Sequence, residues 1–149
     1  MAKLLSEKDA TEVKKYLAGA MVNPVTLRLF VQDPDQPGDC AYCSETEQIV
    51  REISELHDQV QVVVHKSPTE GELVKQYNVE RVPALIIEGK ETANTGVRFY
   101  GIPSGYEFGT LLEDIADVSS GKTKLSPDLI KQVEQVQQDV TIKVFVTPS

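Results

Sequence analysis

Only two cysteines stand in the 149 residues, and there is no tryptophan. Two cysteines cannot build the disulfide scaffold that holds many small secreted domains. No apolar run approaches the roughly 18 residues of a membrane span, so no membrane association is expected. The start, Met1-Ala2-Lys3-Leu4-Leu5-Ser6-Glu7-Lys8-Asp9, lacks the apolar stretch of a secretion signal. Positive charge is also scarce. Fifteen Lys and Arg against 23 Asp and Glu leave a net charge of −8. Phosphate contacts need clustered Lys and Arg, so nucleic acid is not an expected partner. A chain that is 40% apolar and 26% charged has the composition of a soluble globular domain with a real core. Its length suits one domain, or one plus a remnant. The cytoplasm is the expected compartment. There a cysteine pair is more often catalytic or metal-binding than structural.

The two cysteines lie close together, as Cys40-Ala41-Tyr42-Cys43. They follow the apolar run Val25 to Val31, which reads as a buried strand. They open a segment, 41–56, whose spacing predicts a helix burying Ile49, Ile53 and Leu56, with Tyr42 and Thr46 near its start. Two intervening residues let both sulfurs meet in a first helical turn. Unpaired N–H groups and the helix dipole there stabilise a thiolate. A second signal lies 40 residues after Cys43: Val82-Pro83 directly before the apolar run Ala84-Leu85-Ile86-Ile87. Together these suggest thiol–disulfide exchange. The alternatives are an inert structural pair or half of a zinc site. Zinc needs about four ligands, and only His57 and His65 could add nitrogens. No metal and no cofactor are expected.

The negative charge is concentrated. From Asp33 to Asp58 eight acids face only Arg51. Most of that run reads as a solvated helix face. Asp33, Asp35 and Asp39 precede the thiols directly and would oppose thiolate formation. Arg81 could offset them. His65 reads as a structural or surface histidine.

Along the chain, Ser6 to Asp9 resembles a helix cap, and Val13, Leu17 and Met21 recur at helical spacing until Asn23-Pro24 breaks the pattern. Val60 to Val64 reads as a strand, and Ser67-Pro68 as the start of a short helix burying Leu73, Val74 and Tyr77. Gly96 to Gly101 reads as a strand pairing with 84–87. Ser104 to Glu107 reads as a capping box for a helix burying Phe108, Leu111, Leu112, Ile115 and Val118. Two parallel crossover connections are expected. After the polar stretch 119–124, Ser126-Pro127-Asp128 starts another helix. The chain then closes on Asp139-Val140-Thr141-Ile142-Lys143-Val144-Phe145-Val146, which aligns with Pro24-Val25-Thr26-Leu27-Arg28-Leu29-Phe30-Val31, 115 residues earlier. Both follow an amphipathic helix. The likeness is either a chance match of short strands or a domain-scale repeat.

These motifs resemble a known family. Asn23-Pro24-Val25, Cys40-Ala41-Tyr42-Cys43, Arg81-Val82-Pro83-Ala84 and the stretch from Gly96 to Phe108 are similar to the amino-terminal unit of the two-unit, glutaredoxin-like protein disulfide oxidoreductases. The resemblance implies an α/β, thioredoxin-like fold: a central mixed four-stranded sheet flanked by helices, with an extra N-terminal helix. It divides the chain into a redox unit, 1–120, and a segment, 121–149, made of linker, helix and the first strand of a truncated second unit. Three features depart from the family. Eight residues separate Val31 from Cys40, no Trp precedes the motif, and the buried acid of thioredoxin's strand is replaced near Leu29. The proton acceptor for Cys43 is thus unassigned.

The expected roles follow. Cys40 is the nucleophile and Cys43 resolves the mixed disulfide. Val82 and Pro83, with a cis bond between them, offer backbone to a substrate strand, and Tyr42 contacts substrate or simply packs. The expected function is a thiol–disulfide oxidoreductase that reduces, forms or exchanges protein disulfides. Its partners would be protein disulfide or dithiol substrates, an upstream reductase, and a second copy through the C-terminal strand. The alternative is a structural or substrate-binding unit of low activity that supports a second redox unit. A glutathione-dependent glutaredoxin ranks third, because the acids disfavour an anionic tripeptide.

Overall fold

The computed structural model describes residues 2–90 and 92–147. Helix α1, Glu7–Ala20, is capped by Ser6, whose hydroxyl accepts the Asp9 N–H at 3.1 Å. Val13 and Leu17 turn its apolar stripe inward. Pro24 disfavours helix in the residue before it, and strand β1 follows, Val25–Gln32.

The alternation of β1 organises the molecule, because successive side chains point to opposite faces. Leu27, Leu29 and Val31 join one cluster with Val13, Leu17, Val50, Ile53, Leu111 and Ile115. Phe30 joins a smaller cluster on the other face with Tyr77, Ala84 and Ile86. Helix α2, Cys43–Ser54, leads from β1 to strand β2, Val60–Ser67, which pairs with β1 in parallel.

The next connection is not the second parallel crossover that was expected. Helix α3, Gly71–Gln76, has six residues and rises only about 9 Å. An eight-residue strand such as β2 spans roughly 26 Å, so α3 cannot return the chain to the start of β1. Strand β3, Ala84–Gly89, therefore begins at the end where β2 finishes and runs antiparallel to β1. The sheet order is β2-β1-β3-β4. It is the expected mixed four-stranded sheet.

Two local expectations need correction. The strand foreseen over 96–101 is confined to β4, Phe99–Tyr100. Gly96 and Gly101, with φ of +85° and +89°, hold conformations outside the strand region. Ser104 does not cap the next helix. Helix α4, Tyr106–Ser120, is preceded by Gly105 at φ +61°, with no side-chain cap.

The far end of α4 carries a tie that the sequence did not reveal. The buried Ser119 hydroxyl accepts the N–H groups of Val22 (2.8 Å) and Asn23 (3.0 Å) and donates to the Asn23 carbonyl (2.7 Å). Ser119→Ala would remove the acceptor of two N–H groups, but Val22 and Asn23 are themselves exposed, so water can take its place and only the net worth of the bonds, about 0.5–1.5 kcal/mol each, is lost. We expect urea unfolding to show a loss of about 1–2 kcal/mol. A change within about 0.5 kcal/mol, the range of ordinary surface substitutions, would contradict it.

Helix α5, Pro127–Glu134, is capped by Ser126. Residues 135–147 form neither helix nor strand. The strand foreseen from Thr141 has no partner for its N–H and C=O groups among the described residues, and a lone strand is not stable. Ile142, Val144, Phe145 and Val146 are all exposed. Met1, Glu91, Pro148 and Ser149, which fall within the expected domain ranges, lie outside the described residues.

Candidate active site

The functional groups gather where β1 ends and β3 begins. Beyond Gln32 the chain runs through the long polar loop to Cys40. The Gln32 side-chain amide donates back to the carbonyls of Asp33 and Pro37, both at 3.3 Å, and of Gln36 at 3.5 Å. Gly38, at φ +145°, lies so close that a Cβ would sit 2.8 Å from this amide. A side chain there would displace Gln32.

Asp33, expected with Asp35 and Asp39 to oppose thiolate formation, is buried. Its carboxylate accepts the Thr69 hydroxyl and the Asp35 N–H. Those two bonds, the Thr69 bond foremost, hold its carboxyl below the usual aspartate range. Asp33 thus fastens the active-site loop to the β2–α3 connection, while Asp35 and Asp39 stay exposed. Arg81 does not meet these acids: its guanidinium lies 4.8 Å from the Tyr100 ring centroid.

Cys40 and Cys43 are joined by a disulfide, with Cα atoms 5.6 Å apart. The helix foreseen from Ala41 begins at Cys43, with Tyr42 as its N-cap. Cys40 therefore lies ahead of the first turn rather than in it. Its side chain is partly buried, whereas Cys43 is only 9% exposed and belongs to the main core. The Gln32 backbone N–H donates to the Cys43 sulfur at 3.2 Å. Sequence reading missed Gln32; its only signal is that it is the first polar residue after the apolar run.

The remaining expected residues fall into place around this pair. The Val82–Pro83 bond is cis. Pro83 is buried, and its carbonyl accepts the Gly101 N–H at 3.0 Å. Val82 and Cys40 both pack against the cluster that contains Cys43. Ala84, the next residue, pairs with Phe30 near the end of β1. Tyr42 is 54% exposed.

On the opposite sheet face lies a buried polar chain. Arg28 Nε donates to Glu88 at 2.9 Å, and Arg28 Nη1 donates to His65 Nε2 at 2.7 Å. Since arginine only donates, His65 Nε2 accepts, and Nδ1 carries the proton toward Glu70 at 2.6 Å. His65 is thus a structural histidine, and Arg28 within an apolar strand was the available clue. Glu52, counted among solvated acids, is also buried. It accepts the N–H groups of Leu4 and Leu5 and docks the N-terminal segment on α2.

The family model for the thioredoxin domain matches residues 36–113. That is more than half of the chain, and it includes both cysteines and Pro83. The chain belongs to the thioredoxin domain family. This thioredoxin domain also resembles solved structures. With the NTD_N/C domain of alkylhydroperoxide reductase AhpF from Enterococcus faecalis the TM-score is 0.74 at 23% identity, covering 87% of this chain and 59% of that one. With a protein disulfide oxidoreductase from Aeropyrum pernix it is 0.75 at 24% identity, covering 87% and 54%. At such identities these likenesses establish the fold. A curated "NADH dehydrogenase" of Ferdinandcohnia aciditolerans is 28% identical over 76 residues, 51% of this chain and 14% of that protein. The thioredoxin domain thus spans a small part of the curated relative and somewhat over half of the solved chains.

Proposed function

We propose that the chain is a thiol–disulfide oxidoreductase working on protein disulfides or dithiols through Cys40 and Cys43. The observation that carries this is the pair itself: two cysteines joined as a disulfide where α2 begins, one sulfur partly accessible and the other in the core. In the reducing direction, the Cys40 thiolate attacks a substrate disulfide. One substrate sulfur leaves as a thiolate and takes up a proton. Cys43, having lost its proton, then attacks the Cys40 sulfur. The Cys40–substrate bond breaks, the Cys40–Cys43 bond forms, and the second substrate sulfur leaves and is protonated. Two electrons pass from the dithiol to the substrate, and a separate reductase resets the pair. The reverse sequence forms a disulfide in substrate.

In this reading exposed Tyr42 and partly buried Val82 meet the substrate, while buried Pro83 shapes the backbone beside the sulfurs. The glutaredoxin-like subtype and a cytoplasmic setting belong to the same proposal. Among the described residues no helix is long and apolar enough to cross a membrane. The protein should accelerate insulin reduction by dithiothreitol and do little in a glutathione-coupled assay. Absence of the first activity would overturn the proposal.

A second reading has its own observation. Leu129 and Val133 on α5, and Val140, Ile142, Val144, Phe145 and Val146 beyond it, are exposed. That much uncovered apolar surface marks an interaction site. It fits a unit that supports a further redox unit, or a second copy paired through the tail. Sedimentation of the full chain, compared with a chain lacking residues 138–149, should show association only in the first. Two monomers would rule out the paired copy.

A further inference from the structure

Thr46 sits on α2, three residues after Cys43, and is fully buried. Its backbone N–H makes an opening bond of the helix, to the Tyr42 carbonyl at 3.0 Å. Its hydroxyl has no hydrogen-bond partner among the described residues. Buried hydroxyls are nearly always paired, so an orphan calls for an explanation. Helical side chains lean toward the N-terminus and cover the turn before their own Cα. The Thr46 side chain therefore overlies the turn that carries Cys43.

Cys43 needs such a neighbour. Its sulfur lies in an apolar cluster with Leu29, Val31 and Ile49. Burial of that kind disfavours a thiolate. The strand position near Leu29 supplies no carboxylate. Among the described residues the sulfur has one donor in the oxidised protein, the Gln32 N–H at 3.2 Å. A disulfide sulfur is a weak acceptor and a thiolate a strong one, so a second donor gains a partner only when the disulfide opens.

We infer that Thr46 is a further catalytic residue: in the reduced protein its hydroxyl donates to the Cys43 sulfur beside the Gln32 N–H and stabilises the resolving thiolate. The inference rests on the exchange chemistry proposed above. In the resolving step the proton of Cys43 first passes to solvent water. The thiolate, held by the two donors, attacks the Cys40 sulfur, and the departing substrate sulfur takes up a proton. The electrons balance within the dithiol and the substrate disulfide, and solvent carries the proton from Cys43 to the departing sulfur.

Thr46→Val keeps the shape and removes the hydroxyl, while Thr46→Ser keeps the hydroxyl. Equilibration with dithiothreitol at a pH above the Cys43 pKa, where the thiolate is the populated form, should show the Val variant shifted about tenfold toward the disulfide, some 30 mV more reducing. The Ser variant should stay close to the parent. In a Cys40→Ala background, ultraviolet titration of the Cys43 thiolate should show its pKa raised by about one unit with Val. A thiolate tenfold scarcer but more nucleophilic should slow the release step about threefold at neutral pH. Thermal melts should separate the two redox states. The Val substitution should leave the oxidised protein as stable or more stable, because it removes an unpaired hydroxyl, and should destabilise the reduced protein at the same alkaline pH, where Cys43 is ionised. Equal shifts in both states would mean that the hydroxyl bonds the Tyr42 carbonyl or a buried water throughout, and would overturn the inference. So would an unchanged Cys43 pKa. These readings need no insulin activity, so failure of the oxidoreductase proposal would be seen separately.

Discussion

Cys40→Ser will reduce insulin no faster than dithiothreitol alone, and Cys43→Ser will accumulate as a mixed disulfide with substrate. The expectation follows from access and from where the helix starts. A thiolate attacks only a disulfide it can reach. Cys43 is 9% exposed and packed in the core, while Cys40 lies at the end of an exposed loop. The unpaired N–H groups of the first turn of α2 point back toward the residues before Cys43. Cys40 is where their partial positive charge falls. Without Cys40 no bond to substrate forms. Without Cys43 the bond forms and is not released. Iodoacetamide applied briefly to the reduced parent should modify Cys40 first, read by mass spectrometry. If Cys43 is alkylated first, or if Cys43→Ser turns over while Cys40→Ser traps substrate, the two roles are reversed.

The parts of this site that the sequence made legible are those encoded locally. Cysteine spacing, the apolar run before it and the Pro at a later strand each lie within a few residues. Their positions in the sheet come from the structure, where β1 pairs with β2 on one side and β3 on the other. The apolar run read as a buried strand, and the structure sorts it into two faces, with Leu27, Leu29 and Val31 in one cluster and Phe30 in the other. Pairings between distant polar groups left no such trace. Asp33 and Asp39 look alike in sequence, yet only Asp33 meets Thr69, 36 residues away. Glu52 looked like any acid on a helix face until the backbone of Leu4 and Leu5 was seen folded onto it. Ser104 had the capping pattern, but a positive φ at the next residue moved the helix start past it. Thr46 was visible as a residue near the helix start; that its hydroxyl is unpaired is a property of the packed core alone.

The largest stability effect should come from Glu88. Its side chain is 8% exposed and that of Arg28 19%. Glu88 accepts Arg28 Nε at 2.9 Å and the Asn94 N–H at 3.0 Å. The Arg28 guanidinium lies 4.9 Å from the Tyr77 ring centroid. Glu88→Ala would leave a largely buried cation without its carboxylate, and breaking one side of a buried pair costs about 3–5 kcal/mol. Since Arg28 keeps some solvent and its bond to His65, the lower end, about 3 kcal/mol, is expected. Glu88→Gln retains an acceptor and should cost less. The parent and Glu88→Gln also separate by pH. Burial alone would raise the Glu88 pKa, but the bonds from Tyr77, Arg28 and Asn94 outweigh it and leave the value lowered. A carboxylate with a lowered folded pKa contributes its full stability above the unfolded value, about 4.3. That contribution fades as pH falls through the folded value. Glu52, Glu70 and Asp33 are lowered as well, so the parent should lose stability progressively once the pH drops below about 5. Glu88→Gln has no proton to gain at this position, and its stability should fall less steeply over the same range. Urea midpoints measured from pH 7 down to 3 would show it. Parallel curves for parent and Glu88→Gln would mean that Glu88 titrates alike in folded and unfolded chains, and the buried pair would then contribute nothing to acid sensitivity.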